Sequence, residues 1–259
     1  MDIHLINLDR NAGRLAEFLA TNPHLSSVRR FSAVDGSTIS RKLFCEHGVL
    51  RTEMPAYSNG AVGCALSHLT LWKEAVTQSR LITVLEDDAI TNKYFEAQAG
   101  ALIESLPPDW DIVLWGWNFD SLLLIDFLPG VSPCMGVFSE QDLKKNASTY
   151  QQLHLKPQGF RLQRAFGTLG YSISPSGAAK FANHCLPIRE MDVVCPGLKH
   201  AVSNFGIDVM MNALYPEVNA FVSFPPLAIS KNEKSVSTVN GLKQGATAKQ
   251  DAQTVVAAQ

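Results

Sequence analysis

The sequence LITVLEDDA, residues 81–89, decides the interpretation of this chain, because a strand-like run leads directly into three acidic residues. Residues 81–85 are apolar except for Thr83, as expected of a strand that is covered on both faces. Glu86, Asp87 and Asp88 follow, and three adjacent carboxylates repel one another unless a cation lies beside them. The acids form either a solvated turn after the strand or a place where a cation binds.

Strands and helices alternate on both sides of this stretch. We predict strands at residues 3–8, 28–36, 81–85 and 111–117, and helices at 11–22, 59–79 and 94–106. Such alternation indicates a parallel sheet, and right-handed crossovers place the helices on its faces. The expected fold class is therefore α/β, a Rossmann-type sandwich with a mostly parallel central sheet flanked by helices.

The second half of the chain is less regular. We predict paired strands within residues 160–174, helices at 174–186 and 208–215, and an edge strand at 220–228 that is closed by Pro225 and Pro226. Residues 240–259 are polar and rich in alanine, and we expect a flexible tail there.

The composition excludes several classes of protein. Of the 259 residues, 46% are hydrophobic and 18% are charged, which predicts a globular domain with a sizeable core. The net charge of −2, with no basic run longer than two residues, argues against nucleic acid as a partner and against a polybasic membrane anchor. Five scattered cysteines without a CxxC pair predict neither a disulfide framework nor a structural zinc site. With no signal peptide and no membrane-length apolar run, we expect a cytoplasmic protein.

Polar residues also follow the other predicted strands. The segment NLDRNAGR, residues 7–14, brings Asn7, Asp9, Arg10 and Arg14 to the end of the first strand and the start of a helix, where anions bind, although Asp9 or Asn11 can equally be a helix cap. Asp35 and Gly36 end the second strand. A carboxylate there accepts hydrogen bonds from a ribose, or the pair simply forms a good turn.

The helix GAVGCALSHLTLW, residues 60–72, carries glycines and polar groups on an apolar background. A glycine inside a helix costs roughly 1 kcal/mol relative to alanine, so Gly60 and Gly63 indicate close approach of a ligand or another backbone. Ser67 and His68 are candidates to face a site, although a lone histidine on a helix is more often structural.

The three acids have a chemical interpretation. Ligands of open α/β sheets bind beyond the carboxyl ends of the strands, where residues 86–88 are expected. Carboxylate oxygens are the ligands that Mg²⁺ and Mn²⁺ prefer, and these ions keep open positions for substrate phosphates. A metal-bound diphosphate at this edge would offset the repulsion among the acids.

In this order, the motifs resemble glycosyltransferase family 25, the lipooligosaccharide galactosyltransferases, whose relatives include the collagen galactosyltransferases. The matching stretches are IHLINLDRNAGR, FSAVDG, GAVGCALSHLTLWKEAV, ITVLEDDA, LPPDWDIVLWG, GTLGYSISPSGAAKF and GIDVMMNALYPEVNAFVSFPPLA, which span roughly residues 3–235. GCALSH followed by LEDD about 18 residues later is far more specific than one short motif.

The resemblance implies a GT-A-like fold in one domain, residues 1–239, with a nucleotide-binding half at about 1–117 and an acceptor half at about 118–239. It implies transfer of a hexose, usually galactose, from a UDP-sugar to an oligosaccharide or lipid-linked saccharide, with inversion and at most peripheral membrane contact. The residues it assigns to the donor nucleotide are Asn7, Asp9, Arg14, Asp35, Gly36, Gly63, Ser67, His68 and Asp87.

The resemblance assigns metal binding to Glu86 and Asp88, with Mn²⁺ or Mg²⁺ as the ion. An inverting transfer needs a base for the acceptor hydroxyl, and the candidates are Asp208 and Asp192, although Asp208 can instead be the N-cap of the helix that follows it. No histidine follows His200 to complete the metal site, so Lys231 or Lys234 is an alternative neutraliser of the diphosphate. The competing hypothesis is a homologue that binds sugar nucleotides or glycans without catalysis.

Overall fold

The computed structural model describes residues 1–198 and 200–230. Its strands are β1 (Ile3–Asn7), β2 (Val28–Ser32), β3 (Ile82–Glu86), β4 (Ala89–Thr91), β5 (Ile112–Gly116), β6 (Leu123–Leu128), β7 (Ser132–Gly136), β8 (Gln158–Ala165), β9 (Gly170–Ile173), β10 (Asp192–Val193), β11 (Val202–Ser203), β12 (Ala220–Phe224) and β13 (Ala228–Ser230). Its α-helices are α1 (Ala12–Thr21), α2 (Arg41–Glu46), α3 (Asn59–Thr77), α4 (Phe95–Ser105), α5 (Glu140–Lys145), α6 (Ala147–Gln152), α7 (Pro175–Cys185) and α8 (Ile207–Leu214).

Within the described residues, nine strands form one sheet in the order β2-β1-β3-β9-β5-β12-β8-β6-β7. β1 pairs in parallel with β2 and β3, and β5 pairs in parallel with β12. β9 is antiparallel to β3 and β5, β8 to β12 and β6, and β7 to β6. Six of these strands therefore run in one direction and three in the other. The predicted α/β class, with a mostly parallel sheet and flanking helices, is confirmed, although the sheet is mixed.

The antiparallel strand β9 brings a loop to the carboxyl edge of the sheet. Its first residue, Gly170, pairs with Leu85 near the end of β3 and with Gly116 at the end of β5. Residues 166–169, which precede β9, therefore lie beside the ends of β3 and β5. Strands from both halves of the chain alternate in this one sheet, because β9 and β12 flank β5.

Two predictions about strands are wrong. Residues 160–174 do form strands, β8 and β9, but these do not pair with each other, because β5 and β12 lie between them. The strand predicted at residues 220–228 is not at an edge, because β12 lies between β5 and β8. β12 ends at Phe224, so Pro225 and Pro226 fall outside the hydrogen-bonded ladder and their missing N–H groups do not disturb it.

Helix α3 is the central helix of the fold. The Ser58 side chain accepts a hydrogen bond from the backbone N–H of Ala61, which satisfies one of the free donors at the helix start. The helix packs against α7, and Trp72 contacts Phe181 with ring centroids 5.8 Å apart. Burial of each such side chain contributes about 1.5–3 kcal/mol. The helix is therefore fixed firmly enough to position the polar groups on its face.

The predictions for Lys231, Lys234 and the tail at residues 240–259 lie outside the described residues. Within the described ranges, no helix is both long and apolar enough to cross a membrane.

Candidate active site

The carboxyl edge of the sheet brings residues from three parts of the chain together, and two of these parts carry acids. Glu86 ends β3, and its carboxylate accepts a short hydrogen bond from the hydroxyl of Thr168 in the loop before β9. One residue earlier in that loop, the backbone N–H of Gly167 donates to Oδ2 of Asp208 at 2.8 Å. The loop therefore joins the predicted metal ligand Glu86 to the predicted base Asp208.

Asp88 has one carboxylate oxygen that is bonded and one that is buried without a hydrogen-bond partner among the described residues. Its Oδ2 accepts a 2.8 Å hydrogen bond from the hydroxyl of Ser230, whereas its Oδ1 is buried without a partner among the described residues. Burial, together with the negative charge of Glu86, raises the pKa of Asp88 to about 6. Arg14 and Ser230 offset only part of this rise, so the folded protein disfavours the carboxylate form of Asp88.

Asp87, by contrast, is tied to the first strand and the first helix. Nδ2 of Asn7 donates to Oδ2 of Asp87 at 2.7 Å, and Arg14 forms an ion pair with Oδ1. Burial raises the pKa of Asp87, and the contacts with Asn7 and Arg14 offset part of that rise. Asn7, Arg14 and Asp87, which the family resemblance assigns to the donor nucleotide, lie together in the structure. Asp87 orients Arg14 at this edge.

His68 projects from α3 towards Glu86. Its ring is fully buried, and Nδ1 lies 2.8 Å from the hydroxyl of Tyr171, which also accepts a 2.8 Å hydrogen bond from Nε1 of Trp72. Nε2 lies 3.8 Å from Oε1 of Glu86, too far for a hydrogen bond, and no other described residue bonds to it. Burial opposes ionisation of Glu86, but His68 and Thr168 outweigh it and hold the pKa of Glu86 below its ordinary value.

The alternative in which Asp208 is a helix N-cap is wrong. The N-cap of α8 is Gly206, and Asp208 lies in the first turn with its carboxylate directed to Gly167. A Cβ at Gly206 would lie 2.5 Å from Oδ1 of Asp208, so the glycine leaves room for the carboxylate. Burial raises the pKa of Asp208, the hydrogen bond from Gly167 offsets part of the rise, and the charge of Glu86 adds to it.

Asp192, the other candidate base, lies in different surroundings. It is exposed on the short strand β10 and accepts a 2.7 Å hydrogen bond from the hydroxyl of Ser203 on the paired strand β11. The described contacts of Asp192 do not include the acids that end β3. Asp208 is therefore the candidate that shares an electrostatic environment with Glu86.

Two further acids lie where β1 and β2 end, each paired with an arginine. Asp9 accepts hydrogen bonds from Arg30 and from the hydroxyl of Ser32, and the Arg30 contact lowers the pKa of Asp9. Asp35 forms an ion pair with Arg10, and its carboxylate also caps a short 3-10 turn, residues 36–38. Both predicted nucleotide-binding acids are thus near the edge but already hold cationic partners.

The 3-10 turn at residues 36–38 packs closely against α3 through Gly36, Gly63 and Ser67. A Cβ at Gly36 would lie 1.8 Å from the carbonyl oxygen of Asn59, and one at Gly63 would lie 2.5 Å from that of Val34. The hydroxyl of Ser67 accepts from the backbone N–H of Val34 at 2.9 Å and donates to the carbonyl of Gly63 at 2.8 Å. The prediction of close approach is confirmed for Gly63, where the partner is backbone rather than ligand.

Four residues in contact with the acids are absent from the sequence-based prediction: Cys64, Gly167, Thr168 and Ser230. Cys64 was recognisable only as the residue one helical turn before His68, because a cysteine on an apolar helix is usually part of the core. Thr168 and Ser230 lie more than 80 residues from the acids in sequence, and they reach them through β9 and β13, whose pairing has no short-range signal.

The chemistry of these donors fits a hard divalent cation. Glu86 and Asp88 offer carboxylate oxygens, and the buried Oδ1 of Asp88 has no hydrogen-bond partner within the described chain. Oxygen ligands of this kind suit Mg²⁺ and Mn²⁺. A cation placed between the two side chains would remove the repulsion that raises the pKa of Asp88.

Comparisons with known proteins agree with the motifs. A profile described as "Glycosyltransferase family 25 (LPS biosynthesis protein)" matches residues 1–195. "Glycosyltransferase 25 family member" of Anopheles gambiae is 31% identical over 127 residues, which are 44% of this chain and 21% of that protein. "Probable inactive glycosyltransferase 25 family member 3" of Rattus norvegicus is 28% identical over 147 residues, 50% of this chain and 25% of that protein. "Procollagen galactosyltransferase 1-A" of Xenopus laevis is 28% identical over 129 residues, 44% of this chain and 21% of that protein. The match spans a quarter or less of the length of each of these relatives.

Proposed function

Because the chain belongs to glycosyltransferase family 25, we propose that it transfers a hexose, specifically galactose, from a UDP-sugar to a hydroxyl group of a saccharide. The observation that carries the proposal is the acidic group at the end of β3. There Asp88 has a raised pKa and a buried Oδ1 without a hydrogen-bond partner in the described chain, beside the half-exposed Glu86. Such a group is unfavourable by itself and becomes favourable when it holds a cation and a diphosphate.

The donor diphosphate lies, in this proposal, across the ends of β1 and β3, in a GT-A-like arrangement. Glu86 and Asp88 would hold a divalent cation, Mn²⁺ or Mg²⁺, which would supply positive charge to the diphosphate leaving group. Arg14 adds a second positive charge at the same edge, and its ion pair with Asp87 fixes its direction. Asn7 in turn holds Asp87 in place at 2.7 Å, so its effect on the donor is indirect.

Asp208 is the general base of the proposed reaction. As the acceptor oxygen forms a bond to C1 of the sugar, the bond from C1 to the phosphate oxygen breaks and its electron pair leaves with UDP. The hydroxyl proton passes to the carboxylate of Asp208. The raised pKa of Asp208 makes it a better proton acceptor than an exposed aspartate, and Gly167 holds the carboxylate in position. A single displacement of this kind inverts the configuration at C1.

The acceptor we propose is an oligosaccharide or lipid-linked saccharide of lipopolysaccharide type. Support comes from the matching family profile, whose description names lipopolysaccharide biosynthesis. A cytoplasmic protein with at most peripheral membrane contact would suit such an acceptor. The named Xenopus laevis relative, a procollagen galactosyltransferase, supports galactose as the sugar and shows that acceptors differ within the family.

A second candidate function is binding without transfer. It is favoured by the Rattus norvegicus relative, whose name describes it as a "probable inactive" family member. A binding protein would recognise a sugar nucleotide or glycan at the same edge of the sheet. The two candidates differ in whether the bond between sugar and phosphate is broken.

The test is UDP release from a panel of UDP-sugars, with Mn²⁺ or Mg²⁺ and then with EDTA, in the presence of mixed oligosaccharide acceptors. We expect release from one donor, dependent on the metal and lost in Asp88→Asn. Binding of a UDP-sugar, measured by calorimetry, without UDP release on any acceptor would replace the transferase with the binding protein. Release that persists in EDTA would keep the transferase and remove the metal from it.

A further inference from the structure

A thiol, an imidazole and a carboxylate meet beside the proposed donor site. Sγ of Cys64, a ring nitrogen of His68 and a carboxylate oxygen of Glu86 all lie within 4.8 Å of one another. Cys64 and His68 are four residues apart on α3, so they lie on the same face of the helix one turn apart. Glu86 reaches them from the end of the neighbouring strand β3.

Two independent observations indicate that Cys64, His68 and Glu86 can bind a ligand. Nε2 of His68 is fully buried and has no hydrogen-bond partner among residues 1–198 and 200–230, although it is directed at Oε1 of Glu86 from 3.8 Å. The other ring nitrogen is already occupied by the hydroxyl of Tyr171 at 2.8 Å, which fixes the orientation of the ring. A histidine whose outer nitrogen is held in this way presents the remaining nitrogen for coordination.

We propose that Cys64, His68 and Glu86 form a binding site for a thiophilic divalent cation, with Zn²⁺ as the ion. Zinc takes thiolate, imidazole and carboxylate ligands in a tetrahedron, and sites with three protein ligands keep the fourth position for water or substrate. Bonds of about 2.0–2.3 Å to zinc place the ligand atoms about 3.3–3.8 Å apart, so small side-chain shifts close the present spacing. The side chain of Glu86 is 32% exposed, which leaves the site open towards solvent.

The site differs from the proposed magnesium or manganese site in its donors. That site uses only oxygen atoms, from Glu86 and Asp88, whereas this one adds sulfur and nitrogen, which hard cations do not favour. Binding of zinc displaces the thiol proton of Cys64 to solvent, and His68 binds through the lone pair of Nε2 with its proton on Nδ1. Because the oxygen of Tyr171 has a second lone pair beside the one that accepts from Trp72, it accepts that Nδ1 proton.

The two sites share Glu86, so a cation bound at one site competes with a cation at the other for the same carboxylate. We therefore expect Zn²⁺ at roughly micromolar or lower concentration to inhibit sugar transfer by competing with Mn²⁺. This second expectation rests on the proposed function, whereas binding of zinc does not. Spectroscopy of the metal-bound protein tests zinc binding separately from inhibition of sugar transfer.

The test uses the full chain, freed of metal, and titrates it with Co²⁺ as a spectroscopic substitute for Zn²⁺. We expect one equivalent of Co²⁺ to give the sulfur-to-cobalt charge-transfer absorption of a thiolate ligand, and Zn²⁺ to abolish it. Cys64→Ser should lose this absorption, and Glu86→Gln should keep it but bind more than about tenfold more weakly. The matched control, Cys45→Ser, changes another half-buried cysteine and should leave the spectrum unchanged.

Asp88→Asn separates this site from the hard-metal site, because it should keep the cobalt spectrum while losing sugar transfer. Absence of the sulfur absorption in the wild-type protein would overturn the proposal, and so would its persistence in Cys64→Ser. A spectrum as expected with no transferase activity under any condition would leave the zinc site standing and remove only the proposed function.

Discussion

The hydroxyl of Tyr171 lies 2.8 Å from Nδ1 of His68, and this contact connects the core of the protein to its acidic edge. Trp72 completes the arrangement by donating its indole N–H to the same hydroxyl at 2.8 Å. All three side chains are fully buried, so one oxygen atom satisfies two buried ring nitrogens. The opposite side of the His68 ring faces Glu86, and movement of Tyr171 would therefore be transmitted to the site.

Tyr171→Phe should destabilise the protein, because it leaves Nε1 of Trp72 and Nδ1 of His68 buried without partners. Each such group costs about 1–3 kcal/mol, and we expect a loss of about 2–4 kcal/mol in the free energy of unfolding, measured in urea. Tyr57→Phe is the matched control, since the hydroxyl of Tyr57 is also fully buried but has no hydrogen-bond partner in the part of the chain that the structure describes. Its removal should leave stability unchanged or raise it, and equal losses in the two variants would contradict the assigned contacts.

Asp208→Asn should lower kcat by about 10²–10⁴-fold with little change in the binding of the donor, because asparagine cannot accept the hydroxyl proton. The backbone N–H of Gly167 still finds an oxygen acceptor in the variant, so the local structure should persist. Asp192→Asn, at the exposed position bonded to Ser203, should change kcat less than about threefold. The reverse pattern in steady-state kinetics would assign the base to Asp192.

Asp88→Asn should change the pH dependence of stability in a defined direction. The pKa of Asp88 in the folded protein is raised to about 6 from an ordinary value of 3.8, so the folded state binds the proton more tightly than the unfolded state. The resulting stabilisation is present below about pH 4 and is lost as the pH rises through about 6. Relative to the variant, the metal-free wild-type protein should lose about 1–3 kcal/mol of stability across this interval.

This loss is measured by urea unfolding in EDTA at several pH values, as the difference between the wild-type protein and the variant. Addition of Mn²⁺ near pH 7 should restore stability to the wild-type protein and much less to the variant, because a ligand that binds only the folded state stabilises it. A difference that stays constant with pH would show that Asp88 titrates normally.

Gly63→Ala should destabilise the protein although alanine favours helices. The added Cβ would lie 2.5 Å from the carbonyl oxygen of Val34 and 2.7 Å from the backbone nitrogen of Gly36, and backbone atoms cannot move aside cheaply. We expect a loss of about 1–3 kcal/mol in the free energy of unfolding. Gly100→Ala, in α4 with nothing within 4 Å, is the control and should stabilise the protein by about 0.4–1 kcal/mol. A gain in both variants would show that the turn separates readily from α3.

The first half of the fold is predictable from the sequence because its signals are local. Helices α1, α3 and α4 and strands β1, β3 and β5 follow apolar periodicity and lie within two residues of the predicted bounds. The acids at residues 86–88 are recognisable because a buried strand rarely ends in three carboxylates. Their position at the carboxyl edge then follows from the direction of parallel strands.

The arrangement of the second half is not predictable in the same way. Residues 160–174 have the spacing of a hairpin, yet β9 inserts between β3 and β5, more than 50 residues away in sequence. The choice depends on packing across the whole sheet rather than on the turn between β8 and β9. The role of Ser67 is also not predictable from the sequence, because a hydroxyl on an apolar helix can face a ligand or bind backbone. In the structure the Ser67 hydroxyl binds backbone.

The position of β12 also determines which strand edges are unpaired while the chain is being synthesised. β12 is the last of the nine sheet strands to leave the ribosome, yet it lies between β5 and β8, which are made long before it. Until residue 224 has emerged, those two strands each present an open edge in the middle of the future sheet. Open edges recruit strands from other molecules, so a nascent chain that has emerged past Ala165 but not yet to Ala220 is the form most prone to aggregation and most dependent on chaperones.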